Sequence, residues 1–176
     1  MNLARLRDPF PEGEVEWRIG RSGMAAKGPW AMCLAYLTNR AIMDRLDDAV
    51  GPANWQNKFT VWALGEAQLC GIGIWTPWDQ PAPREGQWVW KWDGAPNTDF
   101  EAVKGGLSDS MKRAAVQWGI GRYLYGLEST FSPSNSPNRQ DGWIRAKVDN
   151  KTVYFQPPTL PPEFLPKAGG WADPLK

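Results

Sequence analysis

Residues 99–118 read DFEAVKGGLSDSMKRAAVQW, and their spacing decides the fold. Apolar side chains fall at Phe100, Val103, Leu107, Met111, Ala114 and Trp118, at intervals of 3, 4, 4, 3 and 4 residues. That period puts them on one stripe of an α-helix. Gly105 and Gly106 each weaken a helix by about 1 kcal/mol relative to alanine. They therefore predict a kink or a close approach by a second backbone. Residues 119–127 (GIGRYLYGL) read as the helix end or a turn.

Working toward the N-terminus, three strand candidates precede this helix. Residues 55–64 alternate, Gly65-Glu66 turns the chain, and residues 67–75 return as a hairpin partner. A proline-dense loop over 77–87 leads to WVWKW at 88–92. Trp88, Trp90 and Trp92 share one face of that strand, and Val89 and Lys91 the other. Before the strands, Pro29 opens a predicted helix that runs to the stop signal Gly51-Pro52. Its apolar face shifts midway. Trp30, Cys33, Leu34, Leu37 and Ala41 form one stripe, while Ile42, Leu46, Ala49 and Val50 lie about a third of a turn away. Residues 15–21 suit a short strand, and 1–14 an irregular arm.

Beyond the decisive helix, residues 128–142 read as a mobile Ser/Asn/Pro loop. Residues 143–148 and 152–155 form a predicted hairpin around Asp149-Asn150. From Gln156 the chain becomes proline-rich and reads as an extended tail. The order is strand, helix, three strands, helix, hairpin. It predicts an α+β fold, an antiparallel β-meander packed with two helices, in one domain over 1–156 with a tail over 157–176.

Composition narrows the chemistry. The 176 residues include twelve tryptophans, two cysteines and no histidine, with a net charge of +1. Without histidine there is no His-based triad or general base, and nearly every zinc site is excluded. Cys33 and Cys70 are not in a CxxC pair and read as small buried hydrophobes. No GxxxxGK[ST] loop is present, so ATP use is not expected. No apolar run approaches the ~20 residues of a membrane helix. The protein reads as soluble, unexported and cytoplasmic, with no membrane partner.

A net charge of +1 does not by itself announce nucleic acid, so any such case rests on where the cations sit. Lys104, Lys112, Arg113 and Arg122 fall in a stretch whose one acid between Val103 and Gly126 is Asp109. Adjacent cations on an exposed helix face suit a phosphate backbone, although such a pair is ordinarily only a solvated face. Arg40 has Asp44 four residues on, the spacing of a surface ion pair worth about 0.2–0.5 kcal/mol. Trp55, Trp62, Trp75, Trp78, Trp88, Trp90 and Trp92 suit core packing first and a stacking platform second. The carboxylates Asp47-Asp48 and Asp93, Asp99 and Glu101 have no spacing that marks a metal or glycosidase site.

Two segments carry a resemblance. Residues 34–55 (LAYLTNRAIMDRLDDAVGPANW) resemble the helix, glycine and tryptophan segment of Rad52-type single-strand annealing proteins. Residues 106–127 (GLSDSMKRAAVQWGIGRYLYGL) resemble that family's Ser/Thr-Asp-x-x-Lys-Arg-Ala helix, in the bacterial and phage form shared by DdrA-like members. The resemblance spans about residues 10–127. It implies a β-β-β-α core, closed homo-oligomeric rings, and a groove that holds single-stranded DNA by its phosphates. It implies ATP-independent annealing in recombination and double-strand break repair, no cofactor and no catalysis, in a bacterial or phage-infected cell. Arg40 matches the family's groove arginine of the first helix, and Lys112 and Arg113 match its Lys-Arg pair. A further basic position of some members is Val116 here, leaving that contact missing or supplied by Arg122. Lys91 and Lys104 are candidates for a second DNA contact. A single-strand-binding protein or an exonuclease is a candidate partner. The readings that compete are a protein-interaction module docked through the proline-rich tail, and a Trp-rich carbohydrate-active enzyme or nuclease.

Overall fold

The computed structural model describes residues 1–62, 65–77, 85–97, 102–127 and 130–167, the side chains of 102 and 103 excepted. In chain order the elements are β1 (Val15–Ala25), β2 (Gly28–Leu37), α1 (Asn39–Val50), β3 (Trp55–Trp62), β4 (Ala67–Pro77), β5 (Gly86–Pro96), α2 (Ala102–Gln117), β6 (Thr130–Phe131), β7 (Asn135–Ser136), β8 (Ile144–Val148) and β9 (Lys151–Phe155). They form an α+β chain of antiparallel sheets and two helices. The chain divides into two compact units. One comprises Met1–Asp8 and Thr38–Arg122, the other Pro9–Leu37 and the chain from Tyr123.

The first unit is the β-β-β-α core. Its meander runs β3-β4-β5 in order, each strand antiparallel to the next. Side chains alternate across the sheet, so Cys70, Ile72 and Ile74 of β4 share one face and are wholly buried. Helix α2 packs on β4 and β5 with Met111, Ala114 and Ala115 buried. Burial of a side chain the size of isoleucine contributes about 1.5–3 kcal/mol, so this face anchors the helix. Trp118 adds a hydrogen bond from its indole N–H to the Ile72 carbonyl at 2.9 Å. At Gly106 the close approach is made by side chains and not by a second backbone. A Cβ on Gly106 would lie 2.8 Å from Gln68 Cγ and 3.0 Å from Asn97 Oδ1. Phe100 lies outside the described residues, as does the Val103 side chain.

Helix α1 starts at Thr38, whose hydroxyl accepts the Ala41 N–H at 3.2 Å, and stops at Gly51 with φ +91°. The helix expected to begin at Pro29 is therefore two elements. Residues 28–37 are strand β2, paired with β1 through its whole length. The buried positions Ala31, Cys33 and Leu37 follow the period of two, whereas Trp30 and Leu34 of the supposed stripe are exposed. The mid-helix shift in the apolar face was the strand-to-helix boundary. Pairing with β1 outweighs helix propensity, and Thr38 is the true N-cap.

The second unit holds the β1–β2 hairpin, extended by β6, and a small sheet in the order β7-β9-β8. Strand β1 reaches Ala25, beyond the Arg21 expected, past a bulge at Gly20. The predicted terminal hairpin forms, with Asp149 and Asn150 at φ +47° and +62°, the values a tight two-residue turn requires. Ala31, Val148, Val153 and Phe155 make its core. Of the predicted 128–142 loop, the described residues 130–142 are more structured than expected. Ser132 Oγ lies 2.7 Å from the Ser134 carbonyl and 2.8 Å from the Gln156 carbonyl, its one proton serving either, and Asn135 donates to the Pro29 carbonyl at 3.0 Å. The described part of the proline-rich segment, residues 156–167, is partly packed. Leu160 and Phe164 are buried, the Leu160 N–H bonds a Glu12 carboxylate oxygen at 2.9 Å, and Phe164 lies 6.2 Å from the Tyr123 ring.

Candidate nucleic-acid interface

Every cation singled out in the sequence falls in the first unit. They are not equivalent there. Asn39 in the first turn of α1 donates to Ser108 Oγ of α2 at 3.4 Å. Arg40 is the next residue on α1, and Lys112 stands one turn beyond Ser108 on the same face of α2. A single clasp between the helices thus sets one cation from each on its flank. Arg40 is exposed, and no ion pair to it forms among the described residues. The expected pairing with Asp44 is not made. Lys112 is half-buried and lies 3.3 Å from Asp109 one turn back.

Arg113 points elsewhere. Adjacent helix residues are about 100° apart, and Arg113 reaches across β5 to Asp93, with Nε 3.0 Å from Oδ1. Asp93 also accepts the Gly94 N–H at 2.7 Å and the Gln117 side-chain N–H at 3.3 Å. Burial pushes the Asp93 carboxyl up, but the Gly94, Gln117 and Arg113 donors outweigh it and hold it below the usual carboxylate range. Asp93 belonged to a loose acidic cluster in the sequence. Nothing in its spacing, twenty residues before Arg113, announced this partnership.

Lys91 and Arg122 gather at the C-terminal end of α2. Arg122 donates to the Val116 carbonyl at 2.9 and 2.7 Å and to the Gln117 carbonyl at 2.9 Å. Lys91 donates to the same Gln117 carbonyl at 2.9 Å and sits 4.5 Å over the Trp118 ring. The last carbonyls of a helix lack internal partners and carry its negative pole, so cations settle there. Burial lowers the Lys91 ammonium from its ordinary value, and the charges of Arg122 and Arg7 lower it further. Arg7, not singled out in the sequence, packs its stem against Gly119, whose φ is +97°. Lys104 is exposed on the first turns of α2.

The arrangement can grip a polyanion without doing bond chemistry. Among the described residues, no three acidic or sulfur side chains gather where a metal could sit. No described helix is long and apolar enough to cross a membrane.

The helix with the adjacent Lys-Arg pair and the strand before it, β5, lie in the part of the chain that comparison picks out. This chain belongs to the Rad52/22 family of double-strand break repair proteins, whose model matches residues 84–143, a range that holds β5, α2, β6 and β7. Within it the chain is similar to the single-stranded DNA-binding protein DdrA of Deinococcus radiodurans, at 32 % identity over 177 residues, covering 97 % of this chain and 66 % of that one. It is similar also to DdrA of Deinococcus deserti, at 34 % over 171 residues, covering 97 % of this chain and 69 % of that one. The chain thus spans about two thirds of the length of these relatives.

Proposed function

We propose that this protein binds single-stranded DNA and anneals complementary strands without ATP, in the recombinational repair of double-strand breaks. The observation that carries the reading is the α1–α2 clasp, which sets Arg40 and Lys112 beside one hydrogen bond in a Rad52/22-family chain. Neutralising phosphates releases their counterions, and that release drives binding regardless of sequence. Contacts confined to phosphates leave base edges free, so a second strand can test pairing and Watson–Crick geometry supplies the specificity. No proton transfer or nucleophile is required, in keeping with a protein that is not an enzyme and needs no cofactor.

Arg113 extends the grip on the β5 flank, where a phosphate would compete with Asp93. A head-to-tail ring of identical subunits, housed in the cytoplasm, would set one subunit's β5 flank toward its neighbour's α1 flank and run the cations into one track. Lys104 is a secondary contact in this reading, and Lys91 and Arg122, which already serve helix carbonyls, would engage a phosphate only by leaving them. A docking role for the proline-rich segment, whether for a single-strand-binding protein or an exonuclease, would fall to residues beyond Phe164. Leu160 and Phe164 are committed to their own core.

The test is annealing of two complementary labelled oligonucleotides without ATP or metal. Wild type is compared with an Arg40→Ala, Lys112→Ala, Arg113→Ala variant of matched oligomeric state. Acceleration by wild type and its loss in the variant are expected. No acceleration by wild type at any salt concentration would sink the annealing reading.

A further inference from the structure

The meander has a second face, and the cation clasp does not use it. The register places Trp88 opposite Trp75, Trp90 opposite Gly73 and Trp92 opposite Gly71, all on the side away from α2. The four rings form a series, with centroids 5.7 Å apart from Trp75 to Trp88, 6.3 Å from Trp88 to Trp90 and 5.9 Å from Trp90 to Trp92. The last two planes are tilted by only 27°.

Glycines set the pose of these rings. A Cβ on Gly71 would lie 2.5, 2.6 and 2.6 Å from three bonded atoms of the Trp92 ring, and one on Gly73 would lie 2.8–2.9 Å from the same atoms of Trp90. Near-equal distances to bonded ring atoms mean that each glycine meets the face of its indole, not the edge. One ring face therefore lies down on bare backbone, and the rings are laid over the strand beside them. Trp92 remains 43 % exposed and Trp88 37 %. Lys58, paired with Gly71 across β3, holds its ammonium 4.5 Å over the Trp90 ring between them. Among the described residues of β3, β4 and β5, no Asp or Glu stands on this face.

A core would have turned these indoles inward, and a sugar site would ordinarily set carboxylates around them to bind hydroxyls, whereas the polar neighbours that the register places on this face are Lys58 and the amide Gln56, opposite Gly73. Two exposed indoles with a cation between them and no acid suit a planar ring attached to an anion. That is a nucleotide. We infer that the outer face of the meander is a second single-strand site, at which bases stack on Trp88 and Trp92 while Lys58 meets the intervening phosphate. Every base has a π-face, so such a platform is indifferent to sequence. It complements the clasp, which holds phosphates and leaves bases free. The inference rests on the single-strand-binding reading above but concerns a different surface and a different part of the DNA.

The test separates base from backbone. Binding of a labelled oligothymidylate and of an abasic oligonucleotide of the same length is measured by fluorescence anisotropy. Wild type, Trp88→Ala/Trp92→Ala, Trp88→Phe/Trp92→Phe and Arg40→Ala/Lys112→Ala are compared, each at a checked oligomeric state. The platform predicts that wild type prefers thymidylate by tenfold or more, that the alanine pair abolishes the preference, and that the phenylalanine pair retains much of it. The Arg40/Lys112 variant should weaken both ligands and keep the preference. An alanine pair that still prefers thymidylate like wild type overturns the platform while leaving the clasp reading intact. Loss of oligomerisation in both Trp variants, with the preference unchanged, would assign the face to subunit contact and overturn it too. Wild type that binds neither oligonucleotide overturns both readings.

Discussion

Asp93→Asn separates what Arg113 does for the fold from what it does for DNA. In the wild type Arg113 Nε is 3.0 Å from Asp93 Oδ1, and the carboxylate also holds Gly94 N–H and the Gln117 amide. Asparagine keeps the shape and removes the charge. The Arg113 side chain is 53 % exposed, so solvent screening limits the ion pair to about 0.2–1 kcal/mol. Weakening the two remaining charge-assisted hydrogen bonds adds a comparable amount. A destabilisation of about 0.4–2 kcal/mol follows, which in a chain of this size lowers Tm by about 1–8 °C. Binding should move the other way. A guanidinium no longer neutralised by Asp93 can neutralise a phosphate more fully. The plot of log K against log salt should steepen by up to about 0.7, the increment for one phosphate of a single strand. The assay is an anisotropy titration with labelled oligothymidylate across a salt series, paired with a thermal melt. A lower Tm with an unchanged or shallower salt slope would refute the reasoning. Asp93 would then aim Arg113 at the DNA rather than compete for it.

The same carboxylate sets a pH dependence. Its folded pKa is depressed, so its contribution to stability is full above the unfolded value of about 3.9 and is lost as pH falls through the lower folded value. Urea melts across that acid range should show a loss of stability that Asp93→Asn largely removes, and an equally steep loss in the variant would dismiss the group. Arg122→Ala should cost about 1–2 kcal/mol, because three donors leave the Val116 and Gln117 carbonyls. Its salt slope should match wild type, whereas a slope shallower by about 0.7 would make Arg122 a phosphate contact.

What the sequence could reveal tracks how local the cause was. Helix α2 was legible because its stripe is set by residues three and four apart, and the β8–β9 turn because Asp149-Asn150 favours positive φ. The 28–50 region misled because strand and helix periods agree over a few residues. Cys33 and Leu37 fit both. What decided it was β1, a partner strand that no local pattern contains, together with the threonine cap at residue 38. The site shows the same division. That Lys112 and Arg113 are exposed enough to act could be read from the wheel. That they diverge, one toward the α1 side and one toward Asp93, required the tertiary fold. Composition puts core packing of the tryptophans first and a stacking platform second, since nothing local says that Gly71 and Gly73 lie beneath two of them.

The partners these cations already have bear on how tightly the protein can hold a strand. Lys91 and Arg122 are committed to helix carbonyls, and Lys112 and Arg113 to carboxylates. Only Arg40 among these five is without an ion-pair or hydrogen-bond partner in the described residues. Each phosphate taken by Lys112 or Arg113 must therefore displace Asp109 or Asp93, and the gain is an exchange rather than a full ion pair. Three effective contacts per subunit would give a salt slope of about −2 for a single strand, where all six candidates fully engaged would give about −4. The weaker grip suits annealing. A protein that must give its strand up to a duplex gains nothing from phosphates it cannot release, and near-neutral net charge keeps it from holding the product. A measured slope near −4 per subunit would mean that Lys91 and Arg122 leave their carbonyls on binding, and that the end of α2 rearranges with the DNA.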